Sequence, residues 1–202
     1  MSLSDGARPS PDRRRMAEGI RLFLQGLGVD PSHPDLVDTP ERVADAWSLE
    51  LVDGYGKDPA ALLAESSPVV GQGPVFVTHL HFVSVCPHHL LPFEGVAHVG
   101  YLPGSRLVGL SKLSRLVDCF AHRLTLQEEL ASQITHALET GLGAQGAGCV
   151  LVARHSCMAQ RGVHQTDARV ITMAWSGEFL RQPAWQEILI HPARGEVHPH
   201  HA

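Results

Sequence analysis

Apolar positions fall into two rhythms, and their order divides the chain. Met16, Ile20, Phe23, Leu24 and Leu27 keep helical spacing and stop near Gly26 and Gly28, which predicts an amphipathic helix. Asp38-Thr39-Pro40 reads as a second helix start, with a capping side chain followed by proline in the first turn. Val43, Ala46, Trp47 and Leu51 form its apolar stripe, and Gly54 stops it. Asp58-Pro59 opens a short third helix through Leu63, and Gly71-Gln72-Gly73-Pro74 reads as a hinge.

Beyond the hinge the period changes. Val75 to Val85 is rich in β-branched and aromatic residues and predicts a strand. Val96 to Leu102 is its neighbour, Pro103-Gly104 a turn, and Leu107-Val108 a continuation. Cys86 to Gly95 is then the connecting loop. Ser111 can cap a helix carrying Leu113, Leu116, Val117 and Phe120. Thr125-Leu126-Gln127-Glu128 has the capping-box pattern and starts a longer helix with Leu130, Ile134, Ala137 and Leu138 inside, ended by Gly141 and Gly143. Gly148 to Arg154 and Ala168 to Trp175 predict two more strands around a loop from His155 to Asp167, and Glu178 to His191 a last helix interrupted at Pro183. The order strand, strand, helix, helix, strand, strand implies an α+β domain of antiparallel hairpins with the two helices on one sheet face. The expected organisation is a disordered stretch over 1–12, a helical segment over 13–70, the main domain over 74–191 and a flexible His-rich tail over 192–202.

Composition narrows the function. The 202 residues are 44% hydrophobic with a formal charge of −5, which suits one compact domain and disfavours nucleic acid as a partner. No early apolar run resembles a signal peptide and none is long enough to span a membrane, so a cytoplasmic location is expected. In a reducing compartment the four cysteines point to metal binding and buried thiols rather than disulfides. Cys119 and Cys149 lie in apolar surroundings and read as core.

The remaining two thiols sit among histidines. Cys86-Pro87-His88-His89 and the distant His155-Ser156-Cys157 together offer a Cys₂His set: Cys86, His89 and Cys157. Three such ligands fill three corners of a zinc tetrahedron and leave the fourth for water or substrate, the catalytic rather than the structural pattern. His88 and His155 remain beside the set as proton carriers.

With both clusters placed, the chain resembles GTP cyclohydrolase I. The resemblance runs from about Asp38 to Phe179 and rests on Asp38-Thr39-Pro40-Glu41-Arg42-Val43-Ala44, Cys86 through Gly95, Gly109-Leu110-Ser111-Lys112-Leu113, Gln127-Glu128, and His155-Ser156-Cys157 with Arg161-Gly162-Val163. It implies the tunnelling fold preceded by N-terminal helices, and a toroidal homo-oligomer, usually a decamer of two pentamers with sites at subunit interfaces. The implied reaction is zinc-dependent opening of the guanine imidazole ring of GTP, with C8 leaving as formate and reclosure to 7,8-dihydroneopterin triphosphate, the entry to folate and pterin synthesis. By resemblance Cys86, His89 and Cys157 hold Zn²⁺, and His88 and His155 transfer protons. Ser111 contacts the ribose, Glu128 anchors guanine with Gln127 beside it, and Lys112, Arg115, Arg161 and Arg42 meet the triphosphate. Each has a plainer reading too: Glu128 as part of the capping box, Ser111 as a helix cap, Arg42 as a partner within its own helix.

Three positions depart from the family pattern. Pro87 stands where glutamate is usual, Asp45 where many members carry lysine, and Glu129 where arginine is common. None is a ligand or an acid/base, but they change charge near the metal and the phosphates. The rival readings are a paralogue acting on another purine nucleotide and a non-catalytic zinc- or nucleotide-binding ring. A zinc peptidase is disfavoured, because no His-Glu-x-x-His helix exists.

Overall fold

The computed structural model describes residues 11–69 and 73–197. The start of the chain, Gly71 and Gln72 of the expected hinge, and His198, His200 and His201 of the tail lie outside the described residues.

The first helix, α1 (Arg13–Gly26), begins where Asp12 accepts a hydrogen bond from the Arg15 amide. It packs on α2 (Thr39–Ala46), whose course continues through a π-helical turn over Trp47–Leu51. Asp38 does not cap α2 with its side chain; its carboxylate takes Arg42 Nη2 at 2.9 Å instead. Asp58 does cap α3 (Pro59–Ala64), accepting from the Ala60 amide. Gly54 is more than a stop, since a Cβ there would meet the Cys119 and His122 carbonyls at 2.6 Å.

Two antiparallel sheets follow. The smaller pairs β1 (Ser66–Pro68) with β4 (Arg106–Val108). Leu107-Val108 therefore belongs to a second sheet rather than continuing the first, and β1 carries no periodic signal that predicts it. The main sheet has the order β2 (Val75–Val85), β3 (Pro92–Leu102), β5 (Gly146–His155), β6 (Val170–Gly177). Strand β3 starts earlier than its apolar run suggests, so the ligand loop is shorter than Cys86 to Gly95. Only 86–91 are irregular, closed by bonds from the Cys86 amide to the Leu91 carbonyl and from the Leu90 amide to the Cys86 carbonyl.

Helices α4 (Leu110–Ala121) and α5 (Gln127–Leu142) cover one sheet face, as the pattern implied. Phe82, Val99, Tyr101 and Leu151 of the strands meet Leu113, Leu116, Leu130, Ile134 and Leu138 of the helices in the main core. Each such side chain contributes about 1.5–3 kcal/mol on burial. The helix starts differ from expectation. Gly109 precedes α4 and leaves Ser111 exposed in the first turn, while Leu126 precedes α5, so Thr125 and Glu128 form no capping box. Thr125 instead donates to the Leu126 carbonyl. Gly143 ends α5 in the left-handed conformation at φ 71°, where a side chain would be strained.

After a 3₁₀ turn over Glu178–Leu180, α7 (Pro183–Val197) packs on the opposite sheet face. There Leu189 and Ala193 meet Val96, Val150, Val152 and Phe179. Pro183 opens this helix rather than interrupting it, and Pro192 lies inside it, so the helix extends into the segment expected to be tail. Among the described residues no helix is long and apolar enough to cross a membrane.

Candidate metal centre and active site

Antiparallel pairing brings the end of β2, the start of β3 and the end of β5 to one end of the main sheet. Cys86 follows β2 directly, and Cys157 lies in α6 (Ser156–Ala159), which follows β5 without a break. Ligand atoms of Cys86, His89 and Cys157 consequently lie within 4.8 Å of one another. Cys86 is buried, Cys157 half-buried and His89 exposed, so the cluster opens to one side. Leu90 takes φ 54° to close the turn carrying His88 and His89. Their rings stand edge to face, 6.4 Å apart. The Cys157 thiol is raised above its ordinary range by burial and by the adjacent Cys86 thiol. Two thiols so placed resist ionising together, and a cation between them removes that resistance. The donor set therefore fits a metal ion.

His155 is held by two side chains. It faces Phe93 across the β3–β5 ladder, and the rings stack at 4.5 Å and 4°. Its Nε2 lies 2.7 Å from Gln127 Oε1. The Gln127 amide nitrogen donates to the carbonyls of Leu151 at 3.2 Å and Val170 at 2.9 Å. With both amide hydrogens directed to carbonyls, Gln127 offers His155 only an oxygen, so the imidazole donates from Nε2. Burial lowers the His155 pKa, opposed by the charge of Glu128. A neutral ring with a defined tautomer is the outcome.

The sequence profile of the GTP cyclohydrolase I family matches residues 16–193, the region holding every one of these side chains. The chain belongs to the GTP cyclohydrolase I family. Relatives agree over most of their length. GTP cyclohydrolase 1 of Leifsonia xyli subsp. xyli is 44% identical over 180 residues, 88% of this chain and 94% of that one. Its namesake in Dehalococcoides mccartyi is 39% identical over 175 residues, 86% of this chain and 92% of that one. That of Bifidobacterium longum is 44% identical over 174 residues, covering 86% of each. Among solved structures, an archaeosine synthase QueF-Like in the apo form aligns at a TM-score of 0.44 and 18% identity, over 54% of this chain and 97% of that one.

Not every residue of the family pattern gathers at the metal cluster. Arg161 does, with Nη1 2.9 Å from His89 Nε2. Glu128 is exposed in the first turn of α5, one residue from the buried Gln127. Gln127 is only 1% exposed, and its hydrogen bonds are made inside the protein, so it is not free to meet a base. Lys112 pairs with Glu65, and Arg115 lines a hollow of about 340 Å³ with Lys57, Ala61 and Glu65 that includes none of the metal cluster. Arg42 pairs with Asp38 within its helix, the plainer of its two readings.

The departure at Asp45 finds a local partner. Asp45 pairs with Arg13 of α1, so its charge is matched from within the chain. Pro87 sits in the turn between Cys86 and His88. Two features escaped the sequence reading: the Phe93 stack, which only the strand register reveals, and Glu65, which no motif includes.

Proposed function

We propose that the chain is a metal-dependent GTP cyclohydrolase that opens the guanine imidazole ring of GTP, releases C8 as formate and recloses to 7,8-dihydroneopterin triphosphate. The observation that carries this reading is the Cys86–His89–Cys157 cluster in a chain of this family, with His155 held two residues from one ligand. Two thiolates and an imidazole favour zinc among the common cations. When bound, the metal supplies Lewis-acid activation of water near neutral pH.

The chain supplies the rest. Gln127 and Phe93 hold the His155 ring, leaving Nδ1 for proton exchange with the opening base. His88, exposed beside His89, serves the second transfer. Glu128 accepts from the purine N1–H and 2-amino groups, a pairing adenine does not offer. Ser111 meets the ribose, and Lys112, Arg115, Arg161 and Arg42 the triphosphate. Arg115 of α4 lines a hollow that contains none of the metal ligands, which supports sites completed between subunits of a homo-oligomer. Further support comes from the sheet edges. β2 and β6 have no outer strand among the described residues, and Ile171 and Met173 of β6 are 42% and 46% exposed. A ring of chains joined edge to edge, in the family's decameric arrangement, would cover them. Four free thiols agree with a cytoplasmic setting, and the proposed reaction places the chain at the entry to folate synthesis.

The test is turnover by purified, zinc-loaded protein, following formate and, after oxidation, fluorescent neopterin. Both products from wild type and neither from His88→Ala or Cys157→Ala are expected. Formate without pterin means that reclosure is lost, and neither product with zinc bound refutes the assignment.

A further inference from the structure

Lys57 and Lys112 are the chain's two lysines, and both are already engaged by carboxylates. Lys57 Nζ holds Asp53 at 2.7 Å, an (i, i+4) pair with His122 Nδ1 on the other carboxylate oxygen at 2.6 Å. Lys112 holds Glu65. The second pairing is unlike the first. Glu65 comes from a different part of the chain, is 71% exposed, and reaches a lysine side chain that is only 15% exposed.

Three features bring Glu65 there. Asp58 caps α3 and the fully buried Leu63 anchors it, which fixes where the helix ends. Glu65 is the residue after α3. Strand β1 begins at the next residue, and Ser66 pairs with Val108, the last residue before Gly109 and the first turn of α4. The small sheet thus carries the Glu65 carboxylate onto the α4 turn that bears Lys112. Arg115, one turn on, lines the same hollow as Glu65. Both cations act on the carboxylate, Lys112 by hydrogen bond and charge and Arg115 by charge, and they lower its pKa. The group is therefore an anion at neutral pH.

We propose that Glu65 is a tethered competitor for the polyphosphate of the substrate: its carboxylate occupies the Lys112–Arg115 cation pair and must swing away before a phosphate chain can bind there. The proposal rests on the reading of Lys112 and Arg115 as phosphate contacts and adds a residue that sets their affinity and selectivity. A carboxylate on a short tether yields to a multiply charged phosphate chain, which both cations can hold at once, more readily than to a single small anion. Glu65 thereby favours triphosphates over monophosphates and inorganic phosphate. Because its side chain is exposed, removing it leaves the core untouched.

The experiment compares wild type, Glu65→Gln, Glu65→Asp and Lys112→Ala in the intact protein. Inorganic tripolyphosphate and inorganic phosphate are titrated by calorimetry, and GTP turnover is followed in parallel. Glu65→Gln is expected to tighten tripolyphosphate by roughly two- to fivefold, to lower KM for GTP by a similar factor with the change in KM rather than kcat, and to narrow the preference over inorganic phosphate. Glu65→Asp falls between the two, and Glu65→Gln in a Lys112→Ala background gains nothing further. Unchanged or weaker tripolyphosphate binding by Glu65→Gln overturns the proposal, whatever the turnover. Tighter binding in a protein that forms no formate from GTP upholds the competitor and sinks the GTP reading instead.

Discussion

His98 offers a quantitative test of how this fold responds to acid. It lies in β3 on the face covered by α7, with no exposed surface, and its Nε2 has no hydrogen-bond partner among the described residues. Its Nδ1 accepts from the His79 amide at 3.4 Å. His79 sits at φ 60° in the irregular stretch of β2, its ring 5.0 Å from that of His98 and its Nε2 3.5 Å from Glu196 of α7. Burial first, then the neighbouring His79, lowers the His98 pKa from 6.5 to about 4. The unfolded chain thus binds a proton on His98 more readily than the folded one. The stability due to its neutrality is complete above pH ~6.5 and drains as pH falls towards ~4. At ~1.4 kcal/mol per tenfold change in proton affinity, the loss is about 3 kcal/mol. The assay is urea unfolding from pH 7.5 to 4.5 at fixed protein concentration, for wild type and His98→Leu. The variant loses no titrating imidazole on folding, so the difference between the two curves isolates His98 from carboxylates and from metal release. Wild type should fall relative to the variant by about 2.5 kcal/mol across the window, most of the full loss. Parallel curves would refute the reasoning.

Two further predictions follow from buried geometry. Gln127→Met removes the bonds to His155, Leu151 and Val170, and should cost about 2–5 kcal/mol through unpaired buried groups; denaturation of the metal-loaded protein measures it, and a change under about 1 kcal/mol would contradict the role assigned to that amide. Gly95→Ala places a Cβ 2.0 Å from the Val152 carbonyl and 2.7 Å from Ala153 Cα, so a loss of about 3 kcal/mol or more is expected in melting experiments, beyond ordinary overpacking because the obstacle is backbone; wild-type melting would show that β3 and β5 can separate there without cost.

The elements were legible where period and burial coincide. Leu113, Leu116, Leu130 and Ile134 mark α4 and α5 because one helix face must be apolar, and Val75 to Val85 marks β2 through its β-branched residues. Asp58-Pro59 was read correctly as the capped start of α3, but the caps at Asp38, Ser111 and Thr125 were not, because each has the chemistry of a cap while the local backbone and competing partners such as Arg42 decide otherwise. Strand β1 was invisible, since Ser66-Ser67-Pro68 has no pattern and exists only through its pairing with β4. At the site, Cys86, His89 and Cys157 could be read because metal ligation admits few residue types. The work of Gln127, Phe93 and Glu65 could not, because it depends on which strand lies beside which.

Cys86 and Cys157 stand just beyond β2 and β5, and all of β3, β4, α4 and α5 lies between them in the chain. A metal bridging the two closes that run into a ring, a reversible cross-link that restricts the unfolded chain much as a disulfide does. Demetallation would then do more than silence turnover. It would cut a clasp that ties the edge strand β2 to β5 across β3 and let that end of the sheet fray first, so that losing activity and losing shape become one event.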